Sequence, residues 1–220
     1  MKVLNLYAGI GGNRKLWEGV DVTAVEINPE IAEVYKDNFP DDEVIVGDAK
    51  QYLLDHHDRF DFVWSSPPCP THSVTNGFLN AQGVKRFPDM GLYQQIIYLR
   101  KFHKGCYCVE NVRSYYDPLI TPQELDRHYF WTNFKLGQIK KDRNQFNTLN
   151  ARGSTRQTVE ENFDNLIELY GFNLKEKDIS KSKAVKYLRN CVHPETGLHI
   201  LNRALGIKTK NETDQGTLFG

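Results

Sequence analysis

The sequence predicts an α/β fold: a mostly parallel sheet covered by helices on both faces, with a small insert late in the chain. Three observations carry this reading. Short β-rich runs alternate with helical ones through the first two-thirds of the 220 residues, the pattern of strand–helix–strand units. The glycines, acids and cysteine that could do chemistry fall where strands end, which is where such sheets bind ligands. No stretch approaches the roughly 18 uninterrupted apolar residues of a membrane span.

Taken in order, Lys2–Leu6 reads as the first strand, Val22–Ile27 as the second, Glu43–Gly47 as the third and Arg59–Ser65 as the fourth. Gly105–Glu110 is the fifth and His128–Phe134 the sixth. Helical spacing of Ile31, Val34 and Tyr35 predicts a helix over Pro29–Asn38; Leu92, Ile96 and Leu99 predict another over Leu92–Phe102. Ser66–Asp89 is rich in Pro, Gly, Asn, Ser and Thr and too long for an ordinary connection, so it is read as a functional loop. Residues 135–186 read as a polar insert with one helix, Val159–Tyr170. A closing helix over Pro194–Leu205 and a polar tail complete the chain.

Composition adds bounds. The hydrophobic fraction is 40% and the charged fraction 25%, as in ordinary globular proteins. Cys69, Cys106, Cys108 and Cys191 show no zinc-type spacing, so no metal site is expected and the thiols read as reduced and cytosolic. The start of the chain lacks the length and cleavage site of a signal peptide; a cytoplasmic monomer is expected. A net charge of zero hides an uneven distribution. Residues 18–61 hold thirteen acids against Lys36, Lys50 and Arg59, whereas residues 135–156 hold Lys135, Lys140, Lys141, Arg143, Arg152 and Arg156 against Asp142 alone. That basic run is either a solvated surface or a phosphate-facing one.

The motifs then follow the strands. Tyr7-Ala8-Gly9-Ile10-Gly11-Gly12 is a glycine turn after the first strand, where missing Cβ atoms let backbone amides approach a ligand. Glu26, beside Ile27, ends the second strand at a position suited to a ribose diol. Asp48, beside Ala49, follows the third strand and suits an adenine amino group. The plain structural role for either acid is a helix N-cap; together with the turn they favour a nucleoside cofactor. Cys69 follows Pro67-Pro68 at the end of the fourth strand and opens the long loop, an exposed and rigidly aimed thiol rather than a small buried hydrophobe. Glu110 arrives at the same edge on the fifth strand. A thiol and a carboxylate converging beside a nucleoside site suggest nucleophilic catalysis with acid assistance.

These motifs, in this order, resemble the C5-cytosine DNA methyltransferase family. The glycine turn is similar to its Phe-x-Gly-x-Gly-Gly motif with Tyr7 in place of Phe; Val25-Glu26 and Gly47-Asp48 resemble its ribose and adenine motifs. Pro68-Cys69 and Glu110-Asn111-Val112 match its Pro-Cys and Glu-Asn-Val motifs, and Arg189-Asn190-Cys191-Val192 resembles its Gly-Asn-Ser-Val motif. The resemblance covers residues 1–134 and 187–206. It implies a Rossmann-like S-adenosylmethionine-dependent methyltransferase fold and S-adenosyl-L-methionine as cofactor. The cofactor would be held by Tyr7, Ala8, Gly9, Gly11, Gly12, Glu26, Ile27, Asp48, Ala49, Pro68, Asn190 and Val192. Cys69 would attack C6 of a flipped-out cytosine in DNA, with Glu110 absorbing charge on the ring.

Three departures qualify the resemblance. Pro70 replaces the Gln that follows the family's Pro-Cys. The Arg-x-Arg strand aligns with Asp126-Arg127-His128, leaving His128 at the second Arg unless the register slips to Arg127. The recognition domain shrinks to residues 135–186, which predicts short or lax sequence readout and suits a compact phage or mobile-element restriction–modification type of enzyme. DNA contact is expected from Ser73, Asn76, Lys85 and Arg86 in the loop and from Lys140, Lys141 and Arg143 in the basic run. A tRNA cytosine methyltransferase and a silent DNA-binding module are the alternatives; the tRNA subgroup's Cys-Phe-Thr signature does not follow Phe134. In the tail over 207–220, Gln215-x-x-Leu218-Phe219 resembles the peptide by which bacterial proteins dock on the DNA polymerase sliding clamp, so clamp binding is a further expectation.

Overall fold

The computed structural model describes residues 1–137, 159–172, 174 and 179–207. Strands β1 (Lys2–Leu6), β2 (Asp21–Glu26), β3 (Glu43–Val46), β4 (Phe62–Ser65), β5 (Cys106–Val112), β6 (Gln123–Leu125) and β7 (His128–Thr132) form one sheet in the order β3-β2-β1-β4-β5-β7-β6. The first five run parallel, and β7 lies antiparallel between β5 and β6. This reversal places the start of β7 beside the carboxyl ends of the parallel strands, with His128 opposite Val112.

Side chains alternate across the sheet, as the pleat requires. Leu4, Leu6, Val63 and Val109 face one way and pack on α2 (Ala49–His56) and α4 (Gly91–Phe102). Val3, Phe62, Trp64 and Cys108 face the other way, toward Ile200 and Leu201 of α7 (Pro194–Ala204). On the same side α1 (Pro29–Asn38) buries Val34 and Tyr35 against α5 (Val159–Tyr170) and α6 (Lys181–Arg189). The polar stretch that suggested an insert thus holds two helices, and both bury apolar faces (Phe163, Leu166 and Tyr170; Ala184, Tyr187 and Leu188) in the common core. Helix α6 runs across residue 186, where the sequence reading placed a boundary.

Local signals explain where elements start and stop. Asn28 caps α1 through Glu30 and Ile31 N–H, with Pro29 at the first turn. The fourth strand begins at Phe62 rather than Arg59 because His57–Arg59 closes a 3₁₀ turn. The long loop contains a short helix, α3 (Asn76–Ala81). Among the described residues, no helix is long and apolar enough to cross a membrane.

Candidate active site

The carboxyl ends of β1, β2, β4 and β5 open into one cavity of about 780 Å³, lined among others by Gly9, Glu26, Cys69, Glu110, Arg127 and Asn190. A smaller cavity of about 510 Å³ lies at the opposite end of β5, by Tyr107 and Thr132, and holds none of the motif residues.

One side of the large cavity is the glycine turn. Tyr7 adopts φ 54° and Gly9 φ 55°, so the chain folds back sharply after β1. A Cβ on Gly9 would meet nothing within 4 Å, which leaves its face of the turn open to a ligand. Glu26 is buried; its carboxylate accepts Gly9 N–H at 3.0 Å and Asn28 N–H at 3.0 Å, locking the turn to the end of β2 while keeping lone pairs free for a diol. Gly11 and Gly12 serve packing instead: a Cβ on Gly11 would sit 2.2 Å from the Phe39 ring, and one on Gly12 2.5 Å from Cys191 Cβ. Ala8, Ala49 and Val192 are likewise buried in the hydrophobic clusters. Ile27 is exposed, and Asp48 is exposed with its carboxylate capping α2 through Gln51 N–H. The open Gly9 face, the Glu26 carboxylate and the apolar wall of Ile10, Ile31 and Tyr187 fit the sugar and base of a nucleoside cofactor.

The other side carries the thiol. Cys69 is half-buried and follows Pro67, whose carbonyl accepts Asn111 Nδ2–H at 3.0 Å. Asn111 is buried, so β5 fixes the Pro-Pro-Cys turn directly. The Cys69 carbonyl accepts His72 N–H and Ser73 N–H, winding the loop tightly behind the thiol. Burial, and then the nearby Glu110 charge, push the Cys69 thiol above its ordinary value. It rests as the neutral thiol.

Glu110 is buried, and burial raises its carboxyl from 4.5 to about 7, against the opposing pull of the Ser66 hydroxyl and the Arg127 charge. His128 Nε2 stands 3.7 Å from Glu110 Oε1. Both Arg127 and His128 line the cavity, so the sheet brings both candidates for the second arginine to the site.

Tyr7, Pro68 and Ser73 line the same cavity. Asn76 is buried and donates to the Pro70 carbonyl at 2.7 Å, a loop-bracing role. Lys85 and Arg86 are exposed in the loop. Lys140, Lys141 and Arg143, and Gln215, Leu218 and Phe219, lie outside the described residues. Sequence reasoning missed Ser66, Arg113 and Lys186; the two cations share the rim with Arg189, which the sequence singled out only as part of the closing motif. Lys186 stands three residues before Arg189 on one helix, a spacing that shares a face.

The fold is that of known methyltransferases. A mutant of Spodoptera frugiperda DNMT2 superposes with a TM-score of 0.56 at 15% identity, over 93% of this chain and 99% of that one. Entamoeba histolytica methyltransferase EhMeth superposes with a TM-score of 0.56 at 11% identity, over 94% and 98%. Residues 1–118 match the family model for C-5 cytosine-specific DNA methylase, and the chain belongs to that family, whose cofactor is S-adenosyl-L-methionine. Among characterised relatives, the human tRNA (cytosine(38)-C(5))-methyltransferase is 35% identical over 98 residues, 36% of this chain and 25% of the relative. The enzyme of that name from Spodoptera frugiperda is 34% identical over 36% of this chain and 26% of its own length. The matched regions therefore span about a quarter of those proteins.

Proposed function

We propose that the protein methylates C5 of cytosine in a nucleic acid through a covalent Cys69 adduct, and that the nucleic acid is tRNA. The observation that carries the chemistry is the single cavity in which the Cys69 thiol and the buried Glu110 acid face the Glu26 and Gly9 turn. The relatives named for tRNA cytosine methylation support the substrate. DNA is the second reading, favoured by the family's name and by the missing Cys-Phe-Thr signature.

When bound, S-adenosylmethionine supplies an electrophilic methyl group on a sulfonium and leaves as S-adenosylhomocysteine. The Cys69 thiol gives up its proton to solvent and its sulfur forms a bond to cytosine C6, which loads electron density onto C5. Glu110, a neutral acid below about pH 7, presents its proton to ring N3 as that charge develops. Arg127 and His128 face the remaining polar edge of the ring. Loss of the C5 proton and expulsion of the Cys69 thiolate then restore aromaticity; the net products are 5-methylcytosine, S-adenosylhomocysteine and one proton. Asn111 holds the Pro67 carbonyl and Asn76 the Pro70 carbonyl, so the thiol is aimed from both sides.

Transfer of a tritiated methyl group to tRNA, single-stranded DNA and duplex DNA tests this, with Cys69→Ser as control. Labelled tRNA, with DNA unlabelled and the control silent, is the expected result. Label in DNA alone moves the substrate to the second reading, and an active Cys69→Ser variant overturns the mechanism.

A further inference from the structure

The segment that follows the nucleophile has an unusual surface. From Val74 to Met90 it leaves five large apolar side chains in solvent, and the two aromatic ones are the most open: Phe78 is 68% exposed and Phe87 87% exposed. Between residues 66 and 88 there is no acidic residue, while Lys85 and Arg86 stand directly before Phe87.

This strip is held, not loose. Helix α3 presents Phe78, and the chain folds back on it through Val84 N–H to the Leu79 carbonyl at 2.9 Å. The Tyr115 hydroxyl then donates to the Arg86 carbonyl at 2.8 Å, and Asp89 N–H donates to Thr71 Oγ1 at 3.0 Å. Phe87 is thus pinned between an anchor two residues from Arg113 and another two residues from Cys69, and both Arg113 and Cys69 line the cavity. Val74 lines it too, so one end of the apolar strip reaches the cavity.

A fixed apolar strip that carries Lys85 and Arg86 beside its most open ring, with Asp89 as its single acid, does not suit the backbone of a duplex, whose bases are stacked away. It suits bases that are already unpaired: flat rings stack on aromatic side chains whatever their identity, while lysine and arginine meet the phosphates between them. We propose that Phe78 and Phe87 are a stacking platform for unpaired nucleotides flanking the target cytosine, so that the substrate is a single-stranded or looped segment and not an intact duplex. Lys85 and Arg86 hold the phosphates of the same nucleotides. This rests on the nucleic-acid methylation proposed above, and its test does not need catalysis.

The test is fluorescence anisotropy with a labelled single-stranded RNA containing one cytosine, the DNA strand of the same sequence, and a blunt duplex of that DNA. The full chain is compared with Phe78→Ala/Phe87→Ala, with Phe78→Trp/Phe87→Trp and with Phe78→Leu/Phe87→Leu. Both rings are exposed, so these changes leave the core untouched. The alanine pair should weaken single-strand binding by about tenfold or more per ring, leave duplex binding and the salt dependence unchanged, and raise KM far more than it lowers kcat. Tryptophan should restore affinity and leucine should not, which separates stacking from simple apolar contact. RNA and DNA strands losing affinity alike supports base stacking, and the ratio of their wild-type affinities distinguishes the source. If the wild-type chain methylates neither tRNA nor DNA yet binds strands through the rings, the proposed activity fails and the platform stands. Equal single-strand affinity of the wild-type and alanine forms overturns the platform. So does an equal loss on the duplex, or a self-associated wild type that the alanine pair turns monomeric, which would make the strip a contact between copies.

Discussion

Glu110→Gln isolates what burial does to the site. The folded environment raises this carboxyl from 4.5 to about 7, with desolvation as the leading cause. At about 1.4 kcal/mol per pKa unit, ionised Glu110 costs the folded state about 3 kcal/mol relative to the unfolded chain. The sign follows from proton counts. Below about pH 4.5 both states hold the proton and no penalty exists; between 4.5 and about 7 only the folded state holds it, so stability falls as pH rises; above about 7 both are ionised and the full penalty remains. Glutamine is neutral throughout and nearly isosteric, so the variant should lack this slope. Urea unfolding of both proteins across that range reads the difference. Relative to its value at the acidic end, the variant's stability should gain about 3 kcal/mol on the wild type by about pH 8. A difference between the two proteins that stays flat to within about 1 kcal/mol would refute the claim that burial keeps Glu110 protonated.

Two further substitutions probe the scaffold. Gly12→Ala places a Cβ 2.5 Å from Cys191 Cβ and 2.7 Å from the Val192 carbonyl. It should destabilise the fold by about 1–3 kcal/mol, seen as a lower melting temperature, and weaken cofactor binding measured by calorimetry. Asn111→Ala removes the buried bond to the Pro67 carbonyl; it should cost about 1–3 kcal/mol of stability and lower kcat while leaving cofactor affinity near wild type, as steady-state kinetics would show.

Much of this was legible from residues alone, and the exceptions have physical causes. Helices α1 and α5 have the predicted bounds because their apolar residues recur at helical spacing between clear breaks. Strand β1 does too. Helix α2 was not predicted as an element, although the helix N-cap given as the plain structural role of Asp48 is the role its carboxylate has here. Strand β6 is three residues long, too short for alternation to register. Within α6, Ala184, Tyr187 and Leu188 do have helical spacing, but three lysines and an arginine around them made the segment look like surface. At the site, Glu26, Cys69 and Glu110 could be named because each lies at or near the carboxyl end of an apolar strand, Glu26 closing β2, Cys69 just beyond β4 and Glu110 close to the end of β5. The choice between Arg127 and His128 could not be made, since a one-residue slip exchanges neighbours on a strand, and both line the cavity. Asn111 and Pro67 are 44 residues apart, and no local pattern announces a bond between them.

The close approach of Gly12 to Cys191 and Val192, and of Gly197 to the Asn13 carbonyl, has a consequence for synthesis. The surface on which the glycine turn rests leaves the ribosome roughly 180 residues after the turn itself. Until that segment has emerged and docked, the turn lacks its packing partner and the pocket beside it is incomplete. A nascent or C-terminally nicked chain can therefore carry Cys69 and Glu110 and still lack the packed glycine turn on the other side of their cavity. On the proposed function, cofactor retention would thus report whether these two distant segments have met.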